Sequence, residues 1–223
     1  FRAFGIAFLA VVATASLVMR NPPGTRLGDE PRVQARGVWA DPRFRLLYLA
    51  MFAGLAAGFT VNANLKELSP LGASALGVTA VALFAVGNAA GRIAWGILFD
   101  RFGGPRTVPA NLAAQAVLLV AAPWLGRTGA GFLGLAGFAG FCYGGVLVLY
   151  ASSVAQIWGA EKVGPIYGWL FSANIPAALA PLGAGFLFDR TGSFGPALGA
   201  LAVLLLAAAW AAARLPARAA ACP

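Results

Sequence analysis

Gly96-Ile-Leu-Phe-Asp-Arg-Phe-Gly103 recurs 89 residues later as Gly185-Phe-Leu-Phe-Asp-Arg-Thr-Gly192. Both copies obey G-x-L-F-D-R-x-G, and each closes a long apolar run. If those runs cross a bilayer, three crossings separate the copies, so the two face opposite sides. Two three-helix units of inverted topology follow, from about Leu46 to Arg127 and from about Thr128 to Arg214.

Composition supports a lipid solvent. Hydrophobic residues make up 60% of the chain and charged ones 10%, against roughly 45–50% and about 25% in a soluble domain. A water-soluble protein of this make-up would expose more apolar surface than monomers tolerate. A bilayer core about 30 Å thick needs about 20 apolar residues per helix. Seven segments qualify: Phe4–Met19, Leu46–Leu65, Ala73–Leu98, Val108–Leu125, Gly131–Ala155, Pro165–Phe188 and Phe194–Ala213. Pro109 and Pro165 stand near the first positions of their segments, where a missing N–H costs little. The chain starts at Phe1, inside an apolar stretch, and is read as a fragment of a longer protein rather than as starting with a signal peptide. Cys142 and Cys222 suggest no disulfide framework. With no histidine, the common zinc and histidine-base chemistries are absent, so no cofactor, metal or enzymatic role is expected.

The formal charge of +9 is distributed as loops between spans rather than as a nucleic-acid-binding face. Arg20, Arg26, Arg32, Arg36, Arg43 and Arg45 fill the one long polar stretch, which also holds Pro22, Pro23, Pro31 and Pro42. Alternating the crossings puts Arg101, Arg106, Lys162, Arg214 and Arg218 on the same side, eleven basic residues in all. The other side has Arg2, Lys66, Arg127 and Arg190, and Arg92 is left inside a span. The positive-inside rule makes the eleven-residue side cytoplasmic. The expected organisation is a helix over 1–19, a cytoplasmic linker over 20–45, a six-helix unit over 46–214 and a cytoplasmic tail over 215–223.

A long loop followed by six helices, with Gly96–Gly103 extended by Gly104-Pro105-Arg106, resembles the major facilitator superfamily. That family joins two six-helix halves by a cytoplasmic loop and carries G-x-L-x-D-R-x-G-R-R/K between its eighth and ninth helices. Gly104-Pro105 departs from the pattern where a basic residue is usual. The resemblance implies an all-α C-terminal half, with Phe4–Met19 as helix six and the rest as helices seven to twelve. Helices seven, eight, ten and eleven would line a central cavity opposite the N-terminal half, in a full-length monomer of the plasma membrane. It also implies that Gly96, Asp100, Arg101, Gly103 and Arg106 form a conformational latch. Asp100 needs a partner in any case, because a carboxylate is disfavoured at a helix C-terminus.

Arg92 is the leading binding candidate. It lies eight residues before Asp100, hence about 12 Å deeper in the bilayer. Burying an arginine there costs at least about 2.5–3.5 kcal/mol, and no Asp or Glu falls within a span to neutralise it. An anionic substrate would, since a guanidinium holds a carboxylate by two parallel hydrogen bonds. Asn88 precedes Arg92 by one helical turn and shares its face. Asn88-x-x-x-Arg92 with Gly87 and Gly91 resembles the eighth helix of the oxalate/formate-antiporter-like and monocarboxylate porter families. Proton-coupled monocarboxylate porters have an Asp where this chain has Asn88, and the oxalate pattern adds a helix-eleven Lys that Pro165–Phe188 lacks. A monocarboxylate therefore fits better than a dicarboxylate.

Weaker lining candidates are Tyr143 with Tyr150, and Tyr167 with Asn174, each pair spaced i, i+7. Asn62 and Asn64 lie about 200° apart around a helix, so at most one points inward. Pro176 and Pro181 would kink helix eleven. Gly129-Ala-Gly131-Phe-Leu-Gly134 matches a dinucleotide fingerprint but follows no strand. Gly54/Gly58, Gly140/Gly144 and Gly195/Gly199 suit helix packing within the chain.

The expected function is secondary transport of small organic anions by alternating access, as antiporter or symporter. The alternative is transport of a neutral or cationic solute, with Arg92 structural. A seven-helix receptor conflicts with the inverted repeat, and an intramembrane hydrolase would need paired groups at depth. Asp100 and Asp189 end on opposite sides.

Overall fold

The computed structural model describes residues 2–18, 35–68 and 75–215. Most of the linker expected over 20–45, and nearly all of the tail expected over 215–223, lie outside them. The chain divides into two compact units, Phe1–Arg32 and Val33–Pro223. The first holds α1 (Arg2–Val18), an apolar helix whose Thr14 and Ser16 hydroxyls bond back to the carbonyls one turn earlier.

The second unit contains α2 (Ala35–Ala40), α3 (Pro42–Ala63), α4 (Ala75–Phe102), α5 (Gly104–Leu125) and α6 (Gly129–Trp158). A 3₁₀ turn (Ala160–Lys162), α7 (Val163–Phe171), α8 (Asn174–Ala177), α9 (Ala180–Thr191) and α10 (Gly195–Ala212) follow. Among the described residues every regular element is helical. Among these residues six spans are long and apolar enough to cross a membrane, with α7 to α9 counted as the single span Ala160–Thr191. The chain is an integral multi-pass membrane protein.

Two starts lie four residues earlier than the hydropathy suggests. Expected at Leu46, α3 begins at Pro42, because the Asp41 carboxylate caps it by accepting the Arg43 N–H at 2.8 Å. For α5, expected from Val108, the start is Gly104, so Pro105 takes the second position and Pro109 falls inside the helix. The span expected over Pro165–Phe188 is broken around Pro176 and Pro181. Ser172 and Ala173 there bond three residues back, to Trp169 and Leu170 (3.2 and 3.1 Å), rather than four.

The two motif copies end alike. Gly103 and Gly192 both adopt positive φ (75° and 69°), and each donates its N–H to the motif phenylalanine four residues earlier, Phe99 or Phe188, at 2.7 Å. Only glycine takes this conformation without steric cost. The copies finish at opposite ends of the bundle. Past Gly103, Gly104 N–H meets Gln156 at the end of α6, whereas Phe188 and Gly192 share a cavity with Phe132 near the start of α6. The Gly103 end, which also carries Arg101, Arg106, Lys162 and Arg214, is here called the basic end.

α3 is the core helix, packed against α6, α9 and α10. Of its most apolar 18 residues, 67% are buried, against 17% for α4 and 22% for the broken span. What α4 does bury lies against α6, through glycines on both helices. A Cβ at Gly87 or Gly91 would land on the carbonyl of Gly137 or Phe141, and one at Gly140 or Gly144 on that of Phe84 or Asn88. Gly54 and Gly58 similarly receive Val146 and the Tyr143 ring from α6. Gly199, by contrast, has open space around it.

Candidate functional site

Arg92 sits beside the buried stripe of α4. Gly91 faces α6 and Trp95 is buried, whereas Arg92 and Ile93 are exposed. The guanidinium lies within electrostatic reach of two tyrosines, Tyr143 on α6 and Tyr167 on α7. Among the described residues no carboxylate pairs with it; the ion pair found there joins Arg43 to Asp41.

Both tyrosines are held from behind. The Tyr143 ring lies over Gly58 of α3, between Phe59 and Phe84 (ring centroids 5.9 and 5.8 Å). Tyr167 directs its hydroxyl at the Leu147 carbonyl, 3.4 Å away, and packs on Phe171. An exposed cation on α4 and half-buried phenols on α6 and α7 thus come within electrostatic range of one another.

Asn88 presents its two ends differently. Its Oδ1 is buried without a donor, against the α6 backbone where Gly144 leaves room. A weak contact with the Gly144 Cα–H is what the close approach permits. That placement commits the oxygen to the α4–α6 seam and leaves the NH₂ group, one turn from Arg92, to serve as donor. Guanidinium and amide donors on one helix suit an acceptor-only group such as a carboxylate.

The remaining candidates lie elsewhere. Tyr150, expected to share a face with Tyr143, is 1% exposed and enclosed in the core rather than on an open wall. Asn174 sits in the broken stretch, half-buried, its Nδ2 donating to the Phe171 carbonyl at 2.8 Å. Asn62 is exposed near the end of α3, and its neighbour Asn64 caps that helix through Thr60. Of the latch residues, Asp100, Arg101 and Arg106 are exposed, and Arg101 lies 5.5 Å from the Phe102 ring. Asp100 finds no cation among the described residues.

Two features were not anticipated. Asn111 and Gln115 of α5 are buried; Gln115 donates to Asn111 (2.8 Å), which donates to the Cys142 carbonyl (3.0 Å). They tie α5 to α6 one residue before Tyr143. Their i, i+4 spacing was visible in the sequence, but an outer position had been expected for that helix. The second is Trp158, whose indole N–H donates to Asp41 at 3.1 Å, across 117 residues. Burial raises the Asp41 pKa, but the Arg43 and Trp158 hydrogen bonds outweigh it and hold the carboxyl below its usual value, so it is ionised at neutral pH.

A cavity of about 380 Å³ lies away from Arg92. It lies at the end opposite the basic end, with Glu67, Arg127 and Ser193 among otherwise mainly apolar walls.

No family model matches the chain. Two curated relatives do. Over 104 residues, covering 46% of this chain and 18% of the relative, it is 32% identical to apicoplast pyruvate carrier 1 of Toxoplasma gondii. Over 150 residues, covering 65% of this chain and 35% of the relative, it is 28% identical to the oxalate:formate antiporter of Oxalobacter formigenes. The chain resembles carriers of small organic anions. The matches span about a third or less of those relatives' length.

Proposed function

We propose that this chain is the C-terminal half of a major-facilitator-type secondary transporter, and that Arg92 binds the carboxylate of a small organic anion at a site shared with an N-terminal half. The carrying observation is an exposed arginine with no carboxylate partner among the described residues, on the least buried span, beside Tyr143 and Tyr167. The activities carried in the relatives' names, oxalate:formate exchange and pyruvate carriage, belong to the same chemical class. The copies of G-x-L-F-D-R-x-G at opposite ends of the bundle suit two inverted repeats, α3 to α5 and α6 to α10.

In this reading the faces of α4 and the broken span left uncovered by the rest of the chain form one wall of the cavity. The basic end is cytoplasmic, the residues between α1 and α3 are the interdomain linker and α1 is helix six, in a plasma-membrane transporter working as a monomer. Rocking of the two halves exposes the site alternately, by exchange or by symport. A monocarboxylate is favoured because the span Ala160–Thr191 offers Tyr167 and Asn174 but no second cation near its middle.

Ligand-dependent stability of the full-length protein tests this. Small carboxylates at a hundred times Kd are expected to stabilise it by about 2.7 kcal/mol, while amides and amines of the same size do nothing. Stabilisation by the amines, or by none of them, would contradict it.

A further inference from the structure

The last turn of α6 is tied to two other chain segments. Asp41 accepts Trp158 Nε1 (3.1 Å), Arg43 Nε (3.0 and 3.1 Å), Arg43 Nη2 (2.8 Å) and the Arg43 backbone N–H (2.8 Å). The Arg43 guanidinium also lies 5.6 Å from the centroid of the Trp158 ring, and Phe44 packs edge-on against that ring at 6.5 Å. Trp39 of α2 packs in turn edge-on against Phe44 and tilted against Tyr48 (ring centroids 5.1 and 4.8 Å), with its neighbour Val38 buried. Two residues before Trp158, the Gln156 Oε1 accepts the Gly104 N–H at 3.0 Å, which brings in the α4–α5 turn. The α2–α3 junction and the α4–α5 turn therefore both close on the final turn of α6.

Away from the basic end the same two helices both border a cavity. Val61 near the end of α3 and Phe132 near the start of α6 are both among the residues that line the 380 Å³ cavity. A carboxylate holding several donors is over-determined and resists rotation, whereas an apolar cavity has little contact to resist movement. The pair is hydrogen-bonded at the basic end and borders a cavity at the far end.

We infer that Asp41 and Trp158 form a staple that holds the basic ends of α3 and α6 as one rigid body, and that transport depends on the staple for its turnover rate and not for ligand affinity. The second part rests on the proposed transporter function. With the staple intact, rearrangement within this unit is confined to the far end. With it removed, the end of α3 that follows α2 moves independently of α6, and closure around the ligand slows.

The test uses the full-length protein with spin labels at Arg45→Cys and Lys162→Cys, both exposed, with Cys222→Ser and Cys142 left buried. Trp158→Phe keeps the ring and removes its N–H; Asp41→Asn keeps an acceptor and removes the charge. The label distance is expected to be narrow in the parent and to broaden in Trp158→Phe. Uptake rate is expected to fall about fivefold, the effect of one hydrogen bond, with the half-saturating concentration unchanged. Should Trp158→Phe not reach the membrane, Asp41→Asn is read in the same way. Unchanged label distances in both variants would overturn the staple. Broadened distances with an unchanged uptake rate would overturn its role in turnover. If the parent carries no carboxylate, the transport proposal fails by itself, and the label distances still decide the staple.

Discussion

Arg92→Ala is expected to lower uptake of a small carboxylate by at least about a hundredfold. A hydrogen bond to a charged group contributes about 1.5–3 kcal/mol, and each 1.4 kcal/mol is tenfold in affinity, so losing a two-pronged contact readily reaches that size. Arg92 is exposed and no acid is paired with it among the described residues. Its removal should therefore leave folding nearly untouched, within about 0.5 kcal/mol as at other exposed positions. The check is initial uptake rate beside thermal unfolding on the same purified variant. A variant that transports normally would make Arg92 dispensable for binding. One that unfolds would make it a structural partner of residues beyond this chain.

Gly91→Ala is expected to cost about 2–3 kcal/mol of unfolding free energy, the range for forcing atoms into a filled interior. The new methyl would fall on the Phe141 carbonyl, and backbone cannot step aside as the tip of a flexible side chain can. The α4–α6 seam would have to open, taking Asn88 and Tyr143 with it. Gly134→Ala is the matched control. It lies on α6 with nothing within 4 Å, so helix propensity alone should stabilise it, by up to about 1 kcal/mol. Chemical unfolding of both variants in detergent checks this, and equal stabilities would contradict the packing described here.

Much of the architecture was legible because it follows from one-dimensional patterns. Apolar run length marks spans, and the break at Pro176 and Pro181 follows from two missing N–H donors. The repeated G-x-L-F-D-R-x-G marks two helix ends, since Gly103 and Gly192 must take positive φ. Helix starts were less legible, because a cap such as Asp41 extends α3 into residues too polar for a hydropathy window. Arg92 stood out by its cost in an apolar setting. Its neighbours depended on rotation about each helix axis, which spacing alone does not settle. Tyr143 and Tyr150 have the spacing of one face, yet one is half-buried by Arg92 and the other enclosed. The Asp41–Trp158 bond spans 117 residues and left no periodic trace.

Counterflow uptake of labelled small carboxylates by the full-length protein in proteoliposomes, wild type beside Arg92→Lys, tests the central claim most directly. Lysine keeps the positive charge and loses the planar fork. Uptake that collapses in the lysine variant is the expected result, because the anion would be held by two parallel hydrogen bonds from Arg92. Uptake at the wild-type rate would contradict it and remove the carboxylate assignment as well.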